Sequence, residues 1–235
     1  MRTYILAAFY FLFLIAIAPY LLFCMLTGGR DQVIRLGRWV IRLGCRFLGI
    51  SVEVSGLDRV AQAPACIFMA NHLSFLDGPI VAMIIPRPVR IILKKSIFRV
   101  PVLGMAMRFV DFVSVDRRGV RGGQRSLLKA ADLMRRKGYS FLVFPEGTRS
   151  RDGSMQVFRR GGFFLALNAR TPIVPVAIRG SYELMPRGQW HARPGVIRIA
   201  FGEPIPVEGY AREAMGELME KVREAILSTA SEGER

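Results

Sequence analysis

From Tyr4 to Leu26 the chain carries no charged residue, an apolar run long enough for one helix to cross a bilayer. The pattern then turns amphipathic. Arg35, Arg38, Arg42 and Arg46 recur at three- and four-residue steps, while Val33, Leu36, Trp39, Val40, Leu43 and Phe47 form a broad apolar side. The first fifty residues are thus expected to hold a hydrophobic helix over 4–26 and a basic amphipathic helix over 31–49, both membrane-associated. Pro19 could kink the first of them, which keeps a re-entrant or interfacial hairpin open beside the spanning geometry.

Beyond Ile50 short apolar runs alternate with helical patterns. Strands are expected at Ser51 to Val54, Ala65 to Ala70, Val89 to Leu93, Phe109 to Val115, Ser140 to Phe144, Thr171 to Ile178 and Val196 to Phe201. Helices are expected from Asp77 to Ile85, stopped by Pro86 and Pro88, and from Arg125 to Lys137 with Leu127, Leu128, Ala131 and Met134 inward. Two more are expected, from Phe163 to Ala169 and on the apolar face Met215, Leu218, Met219, Val222 and Ile226. Gly119 to Gly123 and Tyr182 to Gly195 read as loops. The alternation predicts an α/β domain over 51–235, with a mainly parallel or mixed central sheet covered by helices. In such sheets polar residues just past strand ends form the site, and His72, Lys94, Arg117 and Glu146 occupy such positions.

Composition narrows the partners. The formal net charge is +16 in 235 residues of which 51% are apolar, which excludes disorder and implies an anionic partner. Beside a hydrophobic segment, anionic membrane lipids explain that charge better than nucleic acid, for which neither zinc-finger spacing nor an aromatic recognition motif is present. If the apolar run spans, the heavier basic flank after Leu26 argues that the rest of the chain stays on the cytoplasmic side, with an inner (cytoplasmic) membrane as the expected location. The 3 cysteines, Cys24, Cys45 and Cys66, are scattered, and with only 2 histidines neither a disulfide framework nor a metal site is suggested.

The candidate chemistry lies in Asn71-His72-Leu73-Ser74-Phe75-Leu76-Asp77. Residues five apart stand about 140° from one another on a helix, so His72 and Asp77 meet only if the histidine sits in the turn before the helix and the aspartate in its first turn. Asp77 would then fix the imidazole tautomer and leave the other ring nitrogen as a base. The competing reading makes both residues caps. Neither a Gly-x-Ser-x-Gly elbow nor a Gly-x-x-x-x-Gly-Lys-Ser/Thr loop is present. A base beside fixed cations suits acyl transfer to a hydroxyl on a phosphorylated acceptor, with guanidiniums on the phosphate.

These residues carry a resemblance. The His-x-x-x-x-Asp block at His72 and Asp77, the Phe-Pro-Glu-Gly-Thr-Arg-Ser block from Phe144 to Ser150, the aromatic-basic-basic-Gly segment from Phe158 to Gly162, and Val174-Pro175-Val176 resemble the lysophosphatidic acid acyltransferase family. The resemblance implies that His72 is the general base and Asp77 its orienting partner. It implies that Arg117, Glu146, Gly147, Thr148 and Arg149 position the glycerol phosphate. Glu146 would hold an acceptor hydroxyl or orient a neighbouring cation. Lys94 and Lys95 match a basic position common in the family and would be further substrate contacts. No bound cofactor or metal is implied, and the acyl donor would be a thioester on coenzyme A or acyl carrier protein. Where many members have Gly-x-x-Phe-x-x-Arg, this chain has Asp111 to Arg117, with Asp111 at the glycine position and Ser114 at the aromatic one.

The expected activity is therefore transfer of a fatty acyl group to 1-acylglycerol 3-phosphate, giving phosphatidic acid. The same chemistry on another lysophospholipid, a lyso-aminolipid or glycerol 3-phosphate is the near alternative. A noncatalytic lipid-binding protein of the same fold is the alternative of another class.

Overall fold

The computed structural model describes residues 2–61, 65–115 and 120–232. In chain order the elements are α1 (Arg2–Ala16), α2 (Ala18–Thr27), α3 (Arg30–Leu48), β1 (Ile50–Ser55), α4 (Asp58–Ala61), β2 (Ile67–Ala70), α5 (Asp77–Ile84), β3 (Val89–Lys94), a 3-10 turn at Ile97–Arg99, and α6 (Leu103–Phe109). There follow β4 (Val113–Val115), α7 (Val120–Lys137), β5 (Ser140–Val143), α8 (Arg160–Ala169), β6 (Ile173–Arg179), α9 (Ser181–Leu184), β7 (Gly195–Phe201) and α10 (Met215–Glu232). The strands form one mixed sheet in the order β1-β7-β6-β2-β5-β3-β4, parallel throughout except between β6 and β7.

The central strands β2, β5 and β6 are buried on both faces. Phe68 and Ala70 of β2 and Val174, Val176 and Ile178 of β6 join Ile80 and Val81 of α5 in one core. The alternate residues Ile67, Met69, Ile173 and Ala177 join Met134, Phe163 and Leu218 in the other. Period-2 alternation thus feeds two helical layers, with α3 and α5 on one side and α7, α8 and α10 on the other. Pro175 is tolerated inside β6 because it sits where the ladder is irregular, between the Val176↔Phe201 pair and the Ile173↔Ile205 bridge, with only its carbonyl used, accepting from Gly202 N–H.

Several expectations change. The apolar run 4–26 folds as two helices, not one, interrupted at Ile17 just before Pro19, whose ring removes one helical donor. No helix among the described residues is long and apolar enough to cross a membrane. Phe109 to Val115 is mostly not strand, since α6 runs through Phe109 and β4 is confined to Val113–Val115. The expected loop 119–123 is helical from Val120, and Leu128 is exposed at 48%, because it stands about 100° round α7 from Leu127, whose face with Ala131 and Met134 meets the core. Within the expected loop from Tyr182 lies the short α9.

Arg38 is the clearest tertiary override of the amphipathic pattern. Expected among the guanidiniums facing lipid phosphates, it donates instead to the carbonyls of Ala82 (3.3 Å), Ile85 and Arg87 (3.1 Å), closing the C-terminal end of α5. Arg38→Ala should cost about 1–3 kcal/mol by leaving those carbonyls without their charged donor. A lower thermal midpoint in detergent, partly restored by Arg38→Lys, is the expected result; an unchanged midpoint would show the contacts to be incidental.

The departure at Asp111 also acquires a reason. Its φ is 61°, the left-handed conformation that glycine adopts freely and a short polar side chain tolerates. Its carboxylate receives Lys137 Nζ at 2.8 Å and lies 3.6 Å from Arg30 Nε, so the same position now ties the start of α3 to the end of α7.

Candidate active site

Two loops leave adjacent parallel strands at their C-terminal ends. The chain after β2 crosses to β3 through α5 on one face, and the chain after β5 crosses to β6 through α8 on the other. A crevice opens where such crossovers diverge, and the two loops meet there. Asn71 seals one side by a reciprocal pair with the backbone of Ile178, Nδ2 donating to its carbonyl at 2.9 Å and Oδ1 accepting from its N–H at 2.8 Å.

In the first loop three donors converge on one carboxylate oxygen. Asp77 Oδ2 lies 3.0 Å from His72 Nδ1 and accepts from the N–H groups of Leu73 and Ser74, each at 2.7 Å. Asp77 opens α5 and its side chain is fully buried. The loop curls back over the helix start, which resolves the 140° difficulty of an ideal helix (about that angle by geometry). With Nδ1–H donating to Asp77, the lone pair of the imidazole resides on Nε2. Phe144 stacks on the ring, centroids 4.1 Å apart, and fixes its plane.

The second loop clamps the first from behind. Glu146 is buried; Oε1 accepts from the His72 N–H at 2.7 Å and Oε2 from the Gln156 N–H at 2.8 Å. Ser150 N–H donates to the His72 carbonyl at 2.8 Å. Expected at an acceptor hydroxyl or beside a cation, Glu146 instead has both oxygens engaged by backbone and pins the histidine loop. Burial pushes its pKa up from 4.5 to about 7, against the two N–H donors and the nearby Arg223, which favour the carboxylate.

A carboxyl raised on folding contributes stability that is whole below its unfolded value and lost as pH rises through its folded value. The loss attributable to Glu146 accumulates between pH 4.5 and about 7. Unfolding midpoints in detergent should therefore fall across that window, and Glu146→Gln should flatten the fall. A slope identical in both proteins would assign it elsewhere.

His72 opens onto a groove of about 1480 Å³ that is apolar along its length and basic at its rim. Tyr10, Phe13, Ile34 and Val40 wall it on one side and Ala82, Ile91 and Met107 on the other. Arg149, Arg159, Arg160, Arg212 and Lys94 also line it. Of the expected residues, His72, Lys94, Gly147 and Arg149 thus meet at the groove. Thr148 and Lys95 do not line it, and Arg117 lies outside the described residues. Gly147 has φ 70°, and a Cβ there would lie 2.9 Å from Arg159 Cδ, so glycine is what lets that arginine pass.

Arg159, Arg160 and Arg212 were not among the residues assigned from sequence. The first two stand in the segment Phe158 to Gly162, whose basic pair was visible without a position. Arg212 had no local signal, since it arrives from the chain before α10 and is held over Phe164, 5.2 Å from the ring centroid.

The Acyltransferase family model matches residues 51–179, the stretch that holds both loops. The chain belongs to this family. This acyltransferase is 31% identical over 208 residues to a 1-acyl-sn-glycerol-3-phosphate acyltransferase of Pseudomonas aeruginosa, covering 83% of this chain and 78% of that protein. It is 32% identical to a 1-acyl-sn-glycerol-3-phosphate acyltransferase of Saccharomyces cerevisiae, over 79% of this chain and 61% of the yeast protein. Its fold matches the crystal structure of the 1-acyl-sn-glycerophosphate (LPA) acyltransferase PlsC from Thermotoga maritima with a TM-score of 0.80 and 25% identity, covering 99% of this chain and 97% of the other. The acyltransferase is an enzyme of the 1-acylglycerol-3-phosphate O-acyltransferase type.

Proposed function

We infer that this enzyme transfers a fatty acyl group from an acyl thioester to the free hydroxyl of 1-acylglycerol 3-phosphate, forming phosphatidic acid. The observation that carries this reading is the placement of the His72 and Asp77 pair where an apolar groove meets a rim of arginines. His72 Nε2 takes the proton of the acceptor hydroxyl as its oxygen attacks the thioester carbonyl carbon. A C–O bond forms, the C–S bond breaks, and the proton passes from His72 to the departing sulfur. Asp77 stabilises the imidazolium in between. The groove accommodates an acyl chain, and Arg149, Arg159 and Arg212 hold the acceptor phosphate. Arg117 joins them by its motif position, and Lys94 is a further contact.

The same reading puts the groove at a bilayer. Phe11, Leu12, Leu22, Phe23 and Leu26 are each more than half exposed on α1 and α2, more apolar surface than a water-facing hairpin carries. Embedding in one leaflet, not spanning, suits a helix of 15 residues, which reaches about 22 Å. On α3, Arg35, Arg42 and Arg46 stay exposed beside Trp39, Leu43 and Phe47, as an interfacial helix on anionic lipid requires.

Acyl transfer by detergent-purified enzyme across a panel of lyso-acceptors, with acyl-coenzyme A and acyl carrier protein donors in parallel, tests the assignment. Conversion of 1-acylglycerol 3-phosphate ahead of the other acceptors is expected. In the same assay Arg149→Ala should raise the acceptor KM about tenfold or more, the loss of one charge-assisted contact, and an unchanged KM would remove Arg149 from the phosphate site. Preference for an acceptor without a phosphate would overturn the rim's assignment.

A further inference from the structure

The loop 186–194 between α9 and β7 takes no part in the chemistry above, yet it presents the second of the chain's 2 tryptophans to solvent. Trp190 is 79% exposed. Arg187, His191 and Arg193 are exposed around it, and no carboxylate occurs between Glu183 and Glu203. The loop is not a loose excursion. Gln189 N–H closes a turn on the Pro186 carbonyl at 3.2 Å, Arg193 N–H donates to the Leu184 carbonyl at 2.9 Å, and Ala192 packs on the core. A structure that fixes both ends of a loop and spends a tryptophan on its outer side has built a docking tip.

Its position says what it docks on. Gly195 N–H donates to the Gly49 carbonyl at 3.0 Å, so the loop ends against the C-terminal cap of α3. A Cβ at Gly49 would lie 3.0 Å from Pro194 Cβ, which places the two segments in direct contact. The antiparallel register Arg179↔Arg198 puts the start of β7 at the end of β6 from which the site loops also emerge. Arg187 Nη1 reaches the Arg149 carbonyl at 3.2 Å, linking the loop to the groove's rim. The loop therefore abuts the C-terminal end of α3, the helix that exposes Trp39, Leu43 and Phe47 among its arginines.

We propose that loop 186–194 is a second membrane contact, with Trp190 seated in the interfacial layer of an anionic bilayer and Arg187 and Arg193 on lipid phosphates. The proposal rests on the membrane reading of α1 to α3. An aromatic ring with a polar N–H between guanidiniums suits the headgroup boundary, where one side is apolar and the other wet. Two contacts, α3 and the loop, hold the groove's rim at a set height over the leaflet that supplies the acceptor. An acidic carrier protein would meet the same arginines but gives no role to continuity with α3.

The 2 tryptophans make the test direct. In full-length enzyme, Trp39→Phe leaves Trp190 as sole reporter and Trp190→Phe leaves Trp39. Each is reconstituted into vesicles of phosphatidylethanolamine and phosphatidylglycerol, with and without lipid brominated near the headgroup. Trp190 emission is expected to move to the blue and to fall about twofold with brominated lipid, and Trp190→Ala with Arg193→Ala should slow turnover of vesicle-borne acceptor but not of short-chain, monomeric acceptor. Quenching of Trp39 but not Trp190 overturns the loop's role and leaves the membrane reading of α3 standing. Absence of quenching at both positions overturns both. Trp190 emission that answers acyl carrier protein and ignores vesicles overturns the proposal in favour of a protein partner.

Discussion

His72→Ala is expected to lower kcat by about a thousandfold or more, the contribution of a positioned general base, while the protein remains folded. The two properties separate because what holds the loop is backbone. The His72 N–H to Glu146 and the His72 carbonyl to Ser150 survive truncation, as do the Leu73 and Ser74 donors to Asp77. The structural losses are the stack on Phe144, about 1 kcal/mol, and one of the three donors to Asp77 Oδ2, about 1–3 kcal/mol. Single-turnover acyl transfer by purified protein, read beside the thermal midpoint, distinguishes the effects. Undiminished transfer by a folded variant would remove His72 as the base.

Asp77→Asn is expected to lower kcat by about a hundredfold to ten-thousandfold with a smaller change in stability than Asp77→Ala. In the asparagine variant the amide oxygen takes the place of Oδ2, keeping an acceptor for Leu73, Ser74 and the imidazole. What disappears is the negative charge that stabilises the imidazolium. Oδ1 has no hydrogen-bond partner among the described residues and is buried, so the new amide nitrogen takes that place at a cost of about 1–3 kcal/mol. Alanine strands all the donors at once and should lower the unfolding midpoint further. KM for the acceptor should stay near its normal value in the asparagine variant, because Asp77 does not line the groove. A kcat equal to wild type would reduce Asp77 to a cap of α5.

How far each residue was legible depended on the range of the contact that positions it. His72 and Asp77 could be paired on paper because both lie in one turn, and the only missing element was the direction in which the loop bends. Gly147 and Arg149 were marked by a motif but not by a location. Glu146 was expected at an acceptor hydroxyl or orienting a neighbouring cation, and its burial and two backbone donors add a role in holding the histidine loop that the motif did not reveal. Arg38 carried the same helical spacing as Arg35 and Arg42, and only α5 packed beside it turned it inward. The apolar run 4–26 matched a spanning helix by length; one proline sufficed to divide it.

By itself the amino-acid sequence determined the α/β class, most strands and the closing helix, since periods of 2 and 3.6 are written in neighbouring residues. It also singled out His72 and Asp77 as a pair, which the structure brings within 3.0 Å. Tertiary structure alone decided that β2 lies against β5, which brings Glu146 to the backbone of a residue 74 positions away. It decided equally that Arg212 joins the rim, that α1 to α3 close a groove over His72, and that the loop 186–194 ends against the C-terminal cap of α3. The physical reason is common to all four. Each depends on which elements pair across the chain, a choice made by the summed burial of two cores that no short stretch of sequence contains.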